Sequence, residues 1–259
     1  MNDDAENKYV TVEDEIKSNF EKAVRDFSNS NNAKRLAGFH VSSLVYECQR
    51  KTFWDMKFPN EKEEMDIEGL YRTWMGTKLH ETPITDKHEV HMKTKKHGYI
   101  LSGTIDEIMT TSQGSFLLDK KFVAKLPDKM YEHHRNQVMY YAVMLKDIKH
   151  MSIDGIGLIY FSVGSNYNRD LGGYDDRIKV YVEKVTDDIL EEYRKKLYTF
   201  IDEVSLYLKS DIIPERRVSW YCKYCTFKAQ CDDYEKTREV EDVIPEEEVD
   251  AVMETNKND

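Results

Sequence analysis

Two aspartates and a lysine stand where a hairpin would bring them together. Asp106 closes the stretch Ser102-Gly103-Thr104-Ile105-Asp106. After the break Thr111-Ser112-Gln113-Gly114, Asp119 and Lys121 lie in Phe116-Leu117-Leu118-Asp119-Lys120-Lys121-Phe122-Val123. Strand alternation sends Leu117, Asp119, Lys121 and Val123 to one face, with Asp119 and Lys121 about 6.6 Å apart along the strand. An isolated Asp-x-Lys is ordinarily a surface ion pair. Here it interrupts a strongly apolar strand, where such charges cost several kcal/mol unless paired or bound to metal. Asp106 and Asp119 offer hard oxygens of the kind Mg2+ or Mn2+ prefers, and His80 adds an imidazole nitrogen that favours Mn2+. An ion held there would activate water and stabilise charge growing at phosphorus, with Lys121 orienting or deprotonating that water. Gln137 and Tyr141, one helical turn apart, project to one place.

The four cysteines form a second constellation. Cys222-x2-Cys225 brings two sulfurs to one centre, Cys231 follows after one more turn, and Cys48, 174 positions before Cys222, is the one cysteine left to complete a set of four. Four thiolates hold zinc or an iron–sulfur cluster, and spacing does not choose between them. Crowded cysteines of this kind fit metal binding in a reducing compartment better than disulfides.

The elements that must position these groups follow from periodicity. Helical spacing covers Thr11 to Ser28, then a segment capped by Ser42 or Ser43 and running through Cys48 to Phe53, and then Asp66 to Leu79, which carries Gly76 and His80 on one face. Strand-like stretches run over Glu89–Thr94, Tyr99–Met109 and Ser115–Val123. A helix follows from about Asp128 to Lys146, then strands at Gly155–Val163 and Ile178–Val185, and a strongly striped helix over Thr186–Lys209. The order predicts an α/β fold with a mixed sheet flanked by helices.

At 259 residues the chain can bury one substantial core. Its net charge of -11 is carried by the ends: residues 239–259 hold nine acids and one lysine, and residues 1–15 hold six acids and one lysine. The remaining body, at about +2, is compatible with a polyanionic partner. No apolar run approaches a membrane span, and the N-terminus lacks a basic region followed by an apolar stretch, so a cytoplasmic protein is expected. The acidic segment is expected to be mobile. Lys93, Lys95, Lys96, Lys120, Lys125, Arg216 and Arg217 are candidates to neutralise phosphates, and Trp220 and Tyr221 to stack on bases.

Taken in order, Gly76-x-x-x-His80, Gly103-x-x-Asp106, Asp119-x-Lys121 and Gln137-x-x-x-Tyr141 resemble the RecB-like branch of the PD-(D/E)XK nuclease superfamily. With Cys48, Cys222, Cys225 and Cys231, the chain is similar to the CRISPR-associated iron–sulfur exonucleases over about residues 40 to 232. The resemblance implies a nuclease core with an iron–sulfur lobe built from N- and C-terminal segments. Its implied divisions are a helical extension over 1–38, the core over 39–232 with the lobe at Cys48 and 214–232, and an acidic tail over 233–259. By resemblance His80, Asp106, Asp119 and the Phe122 carbonyl bind Mn2+ or Mg2+, Lys121 is the catalytic lysine, and Gln137 with Tyr141 supports the site or positions DNA. The four cysteines would hold a 4Fe-4S cluster. The implied activity is a 5' to 3' exonuclease on single-stranded DNA ends, with endonuclease activity as an addition. The alternatives are a DNA-end-binding or assembly subunit for CRISPR adaptation, replication or repair, and a zinc-stabilised structural protein. Two departures stand out. Ile105 occupies the position of the superfamily's proline, and Asp119 replaces the commoner glutamate, shortening that ligand by one methylene.

Overall fold

The computed structural model describes residues 12–33, 38–59, 61–63, 65–162 and 177–241. A long helix α1 (Val12–Ala33) precedes a two-residue strand β1 (Phe39–His40), the short helices α2 (Val41–Leu44) and α3 (Gln49–Lys57), and α4 (Ile67–His80). Three strands follow, β2 (His88–Lys96), β3 (Tyr99–Thr111) and β4 (Gly114–Val123), then α5 (Glu132–Lys149) and β5 (Gly155–Ser162). The described chain closes with β6 (Ile178–Lys184), α6 (Asp187–Ser210), a 3-10 turn at Trp220–Tyr224 and α7 (Lys228–Glu241). The glycine- and asparagine-rich link between the last two strands and residues 242–259 of the acidic tail lie outside the described residues. Helix α7 extends into the segment read as tail.

The predicted hairpin forms, and one edge of its first arm creates the site. β2 runs antiparallel along one edge of β3, from Lys96 opposite Tyr99 to His88 opposite Glu107. The other edge is divided. β1 pairs in parallel with Leu101 and Ser102, whereas β4 pairs antiparallel with β3 only from Glu107 to Thr111. β4 therefore leaves β3 just where Asp106 stands, and continues parallel to β5, with Asp119 opposite Leu158 and Lys121 opposite Tyr160. β6 closes the sheet antiparallel to β5. At the turn of the hairpin Gly114 takes φ +121°, and an added Cβ would lie 2.4 Å from Asp154 Oδ2, so only glycine fits.

The parallel step from β4 to β5 requires a crossover, and α5 supplies it. This helix is the centre of the core: Asn136 and every residue from Val138 to Leu145 are buried. Against it packs α6, whose stripe of Leu190, Tyr193, Leu197, Ile201, Val204 and Leu208 is buried as its spacing predicts. Thr186 caps α6 by accepting from the Ile189 amide. The segment from Ser42 to Phe53 departs from the expected single helix. Glu47 adopts φ +51°, which breaks the helix and leaves Cys48 as the N-cap of α3, not within a helix.

On the face of β4 opposite Asp119, Lys120 is 2% exposed and its Nζ lies 2.9 Å from Glu107 Oε1, with Glu107 fully buried. Lys120 also donates to the Thr82 carbonyl. Burial raises the Glu107 pKa, but hydrogen bonds from Lys120, Thr85 and the Ile84 amide outweigh it and hold it below the ordinary range. Lys120 is thus a structural cation, not the phosphate contact expected from sequence. Because removing one partner strands a buried charge, Lys120→Met should destabilise the fold by about 3–5 kcal/mol. Equilibrium urea unfolding measures this, and a loss below about 1 kcal/mol would contradict the pairing.

Candidate active site

The acids, the lysine and the helix pair meet where β4 separates from β3. Asp106 Oδ2 accepts from the Lys120 amide at 2.9 Å, so its carboxylate takes the place of the ladder bond lost there. His80, the last residue of α4, brings Nδ1 to 2.7 Å from the same oxygen. Lys121 Nζ stands 2.7 Å from Asp119 Oδ2 and donates to Gln137 Oε1 at 3.0 Å. Gln137 Nε2 in turn donates to the Tyr141 hydroxyl at 3.0 Å and to Asp119 Oδ1 at 3.4 Å. Gly103 permits this arrangement, because a Cβ there would come within 2.6 Å of the Tyr141 ring. Gly76 has a different setting: a Cβ at that position would meet nothing within 4 Å. Phe122 stands opposite Phe161 in the β4–β5 ladder, half-buried.

Two buried polar atoms of this group, Asp119 Oδ2 and His80 Nδ1, are held in ion pairs at 2.7 Å, with Lys121 in one case and Asp106 in the other. Among the described residues no three His, Cys, Asp or Glu side chains are set at metal-holding geometry. Two carboxylates and an imidazole nevertheless converge here, and oxygen and nitrogen donors of this kind suit a hard divalent ion. The Asp119 carboxyl is pushed up to about 6, chiefly by burial, with Lys121 opposing the rise and Asp106 adding to it.

That shift has a sign that can be tested. A folded pKa above the unfolded value favours the folded state below about pH 4, and the contribution is lost as pH rises through about 6. At neutral pH the metal-free fold should then carry a burden of up to about 3 kcal/mol from this one group. Asp119→Asn should raise the melting temperature in EDTA at pH 7, with the gap to wild type closing near pH 4. A lower melting temperature for the variant at pH 7 would contradict the burial argument.

The four cysteines come together at a distance from this centre. Cys48, Cys222, Cys225 and Cys231 line one cavity of about 30 Å3, with Arg50, Lys51 and Arg216 among its walls. Burial pushes the Cys48 and Cys225 thiols up, and the neighbouring sulfurs add to the rise in both. Cys48 Sγ accepts from the Lys51 amide, and Cys222 Sγ accepts from the Ser219 amide at 3.3 Å. Arg50, 1% exposed, ties this region together by donating to the Pro214 carbonyl and to Glu235, both at 2.7 Å, and to Cys231 Sγ at 3.5 Å. Sequence reasoning missed Arg50 and Lys51, although their position two and three residues after Cys48 was a signal. Among the described residues the four sulfurs are not set at metal-holding geometry, and Arg50, Lys51 and Arg216 are paired with Glu235, Asp55 and Asp232.

The expected nucleic-acid contacts divide. Arg216 pairs with Asp232, and Arg217 donates to the Glu47 carbonyl. Trp220 is 57% exposed, whereas Tyr221 lies against Tyr46 with ring centroids 3.6 Å apart. No helix among the described residues is long and apolar enough to cross a membrane.

Comparisons with known proteins bear on the fold and family. A family model described as the PD-(D/E)XK nuclease superfamily matches residues 21–232. Among solved structures, the chain is similar to the crystal structure of SSO0001, with a TM-score of 0.53 at 18% identity over 83% of this chain and 95% of that one. It is also similar to a phage-related exonuclease from Haemophilus somnus 129PT, with a TM-score of 0.44 at 11% identity over 66% of this chain and 83% of the other. No curated protein matches.

Proposed function

Since the chain belongs to the PD-(D/E)XK nuclease superfamily, we propose that it is a metal-dependent deoxyribonuclease that trims single-stranded DNA ends from 5' to 3', as a CRISPR-associated iron–sulfur exonuclease of the RecB-like branch, acting in the cytoplasm. The observation that carries the site is the convergence of the Asp106 and Asp119 carboxylates with His80 and Lys121, paired at 2.7 Å where β4 leaves β3. Asp106, Asp119 and His80 hold Mn2+ or Mg2+, with the Phe122 carbonyl as a further ligand. Bound there, the ion supplies a water of lowered pKa and neutralises charge on the phosphate. Lys121 orients the attacking water and shares the charge that develops on the phosphate oxygens. Gln137 fixes the Lys121 amine from one side and Asp119 from the other, and Tyr141 fixes Gln137.

The cysteine cavity holds a tetrathiolate centre that staples the two ends of the fold and stays outside the hydrolysis. Choice of a 4Fe-4S cluster over zinc rests on the family resemblance of the sequence. The four thiols from both ends of the chain and the cations around them support either occupant.

End-labelled single- and double-stranded DNA, incubated with the protein in Mn2+, Mg2+ or EDTA, tests the activity. Single strands should shorten from the 5' end, Mn2+ should serve at least as well as Mg2+, and EDTA should stop the reaction. His80→Ala should raise the Mn2+ concentration needed for half-maximal rate and lower the rate itself. An unchanged metal titration would remove His80 from the ligand set. Binding of DNA ends without cleavage in any metal would instead favour the end-binding subunit.

A further inference from the structure

Beside the catalytic lysine, aromatic rings from three distant stretches of sequence form a continuous wall. His133, in the first turn of α5, stacks on Tyr131 with centroids 5.7 Å apart and planes within 16°. It also meets Trp220, from the 3-10 turn of the cysteine segment, at 5.0 Å with the planes tilted by 50°. The outer rings are open to solvent, Tyr131 at 41% and Trp220 at 57%. The wall is backed by packed rings: Tyr46 stacks under His133 at 6.1 Å, and His134 lies 4.1 Å from His133 and 5.6 Å from Tyr160. Such backing holds the exposed faces in place before any ligand arrives.

We propose that Tyr131, His133 and Trp220 form a nucleobase-stacking subsite that grips an unpaired strand as it enters the catalytic centre. This rests on the nuclease reading and deepens it, because it gives single-strand preference a physical source: bases in a duplex are already stacked and paired, so their faces are closed to a protein ring. Position supports the assignment. His134 is one helical turn before Gln137, the residue that holds Lys121, and the Lys121 charge reaches Tyr46, His133 and His134. The imidazoles add no positive charge of their own. Burial first, and Lys121 second, push His133 down to about 4, so at neutral pH the ring is an uncharged brace between Tyr131, Tyr46 and Trp220. Lys223, over the Tyr224 ring next to Trp220, supplies a cation for the backbone at the far end.

The test compares a short oligothymidylate with an abasic oligonucleotide carrying the same number of phosphates, both binding the full chain in EDTA. Wild type should prefer the oligothymidylate by at least about tenfold, the range expected of base–aromatic stacking. Trp220→Ala and Tyr131→Ala should each shrink that preference, the double variant should abolish it, and Trp220→Phe should keep most of it. Salt dependence should be the same in all variants, because no phosphate contact is lost. Both outer rings are exposed, so truncating them leaves the core intact. Equal wild-type binding of the two oligonucleotides, or an undiminished preference in the double variant, overturns the subsite. Cleavage in Mn2+ is read separately. A protein that cleaves without preferring bases keeps the nuclease reading and loses the subsite, and one that prefers bases without cleaving does the reverse.

Discussion

Lys121→Ala is expected to lower the rate of DNA cleavage by about a hundred- to a thousandfold, the usual consequence of removing one preorganised cationic donor from a reacting centre. Two losses combine in this variant. The developing charge on the phosphate loses its partner, and Asp119 loses the nearest cation, which now holds its pKa down against burial. The carboxyl should then take up a proton more readily, so the variant should also need a higher metal concentration at neutral pH. Asp119, 1% exposed, also loses its counterion, so the metal-free variant should melt below wild type at neutral pH, and its activity is read at a temperature where it is folded. Asp119→Ala should be at least as damaging to cleavage. A folded Lys121→Ala protein that degrades DNA at the wild-type rate would falsify the site assignment.

Cys48→Ala should have the largest effect on stability. In the proposed centre Cys48 would close a loop of some 174 residues to Cys222, and by analogy with disulfide closure such a link would restrict the unfolded chain by roughly 5 kcal/mol. The buried Arg50 and Lys51 would also lose the anionic centre that balances them, although Glu235 and Asp55 remain as their partners. Wild-type protein should purify brown, with iron and acid-labile sulfide, and the variant should be pale and melt well below it. Stoichiometric zinc in a colourless, active wild-type preparation would rule out the cluster while leaving the four-sulfur centre in place. A Cys48→Ala protein with unchanged metal content and melting temperature would remove Cys48 from the centre.

Much of the site could be read from strand alternation alone. That rule puts Asp119 and Lys121 on one face, and the 2.7 Å approach of their charged atoms agrees with it. Helical spacing likewise placed the α6 stripe and joined Gln137 to Tyr141. What periodicity leaves open is what waits on the far side of an element. Lys120 had to point away from Lys121, yet only the pairing of β3 with β4 reveals that Glu107 receives it. The interruption at Glu47 was hidden because a left-handed non-glycine residue has weak sequence signals. The aromatic wall was illegible for another reason: Tyr46, His133 and Trp220 are neighbours only after three remote segments have docked.

The two consecutive lysines of β4 have opposite destinations, Lys121 beside Asp119 and Lys120 beside Glu107. A slip of one residue in this strand would exchange their faces. Asp119 would turn away with Lys121, leaving Asp106 facing Lys120 in the cleft, so local charge there would punish the error weakly. The hidden face would not tolerate it, because Asp119 would join Glu107 in the dry interior with Lys121 as the one lysine for two carboxylates, at a penalty of several kcal/mol. The alignment that serves chemistry is therefore proofread on the side of the sheet that never meets the substrate, and a variant with Glu107 and Lys120 both made apolar could fold stably with a weaker guard against a misthreaded, catalytically silent form.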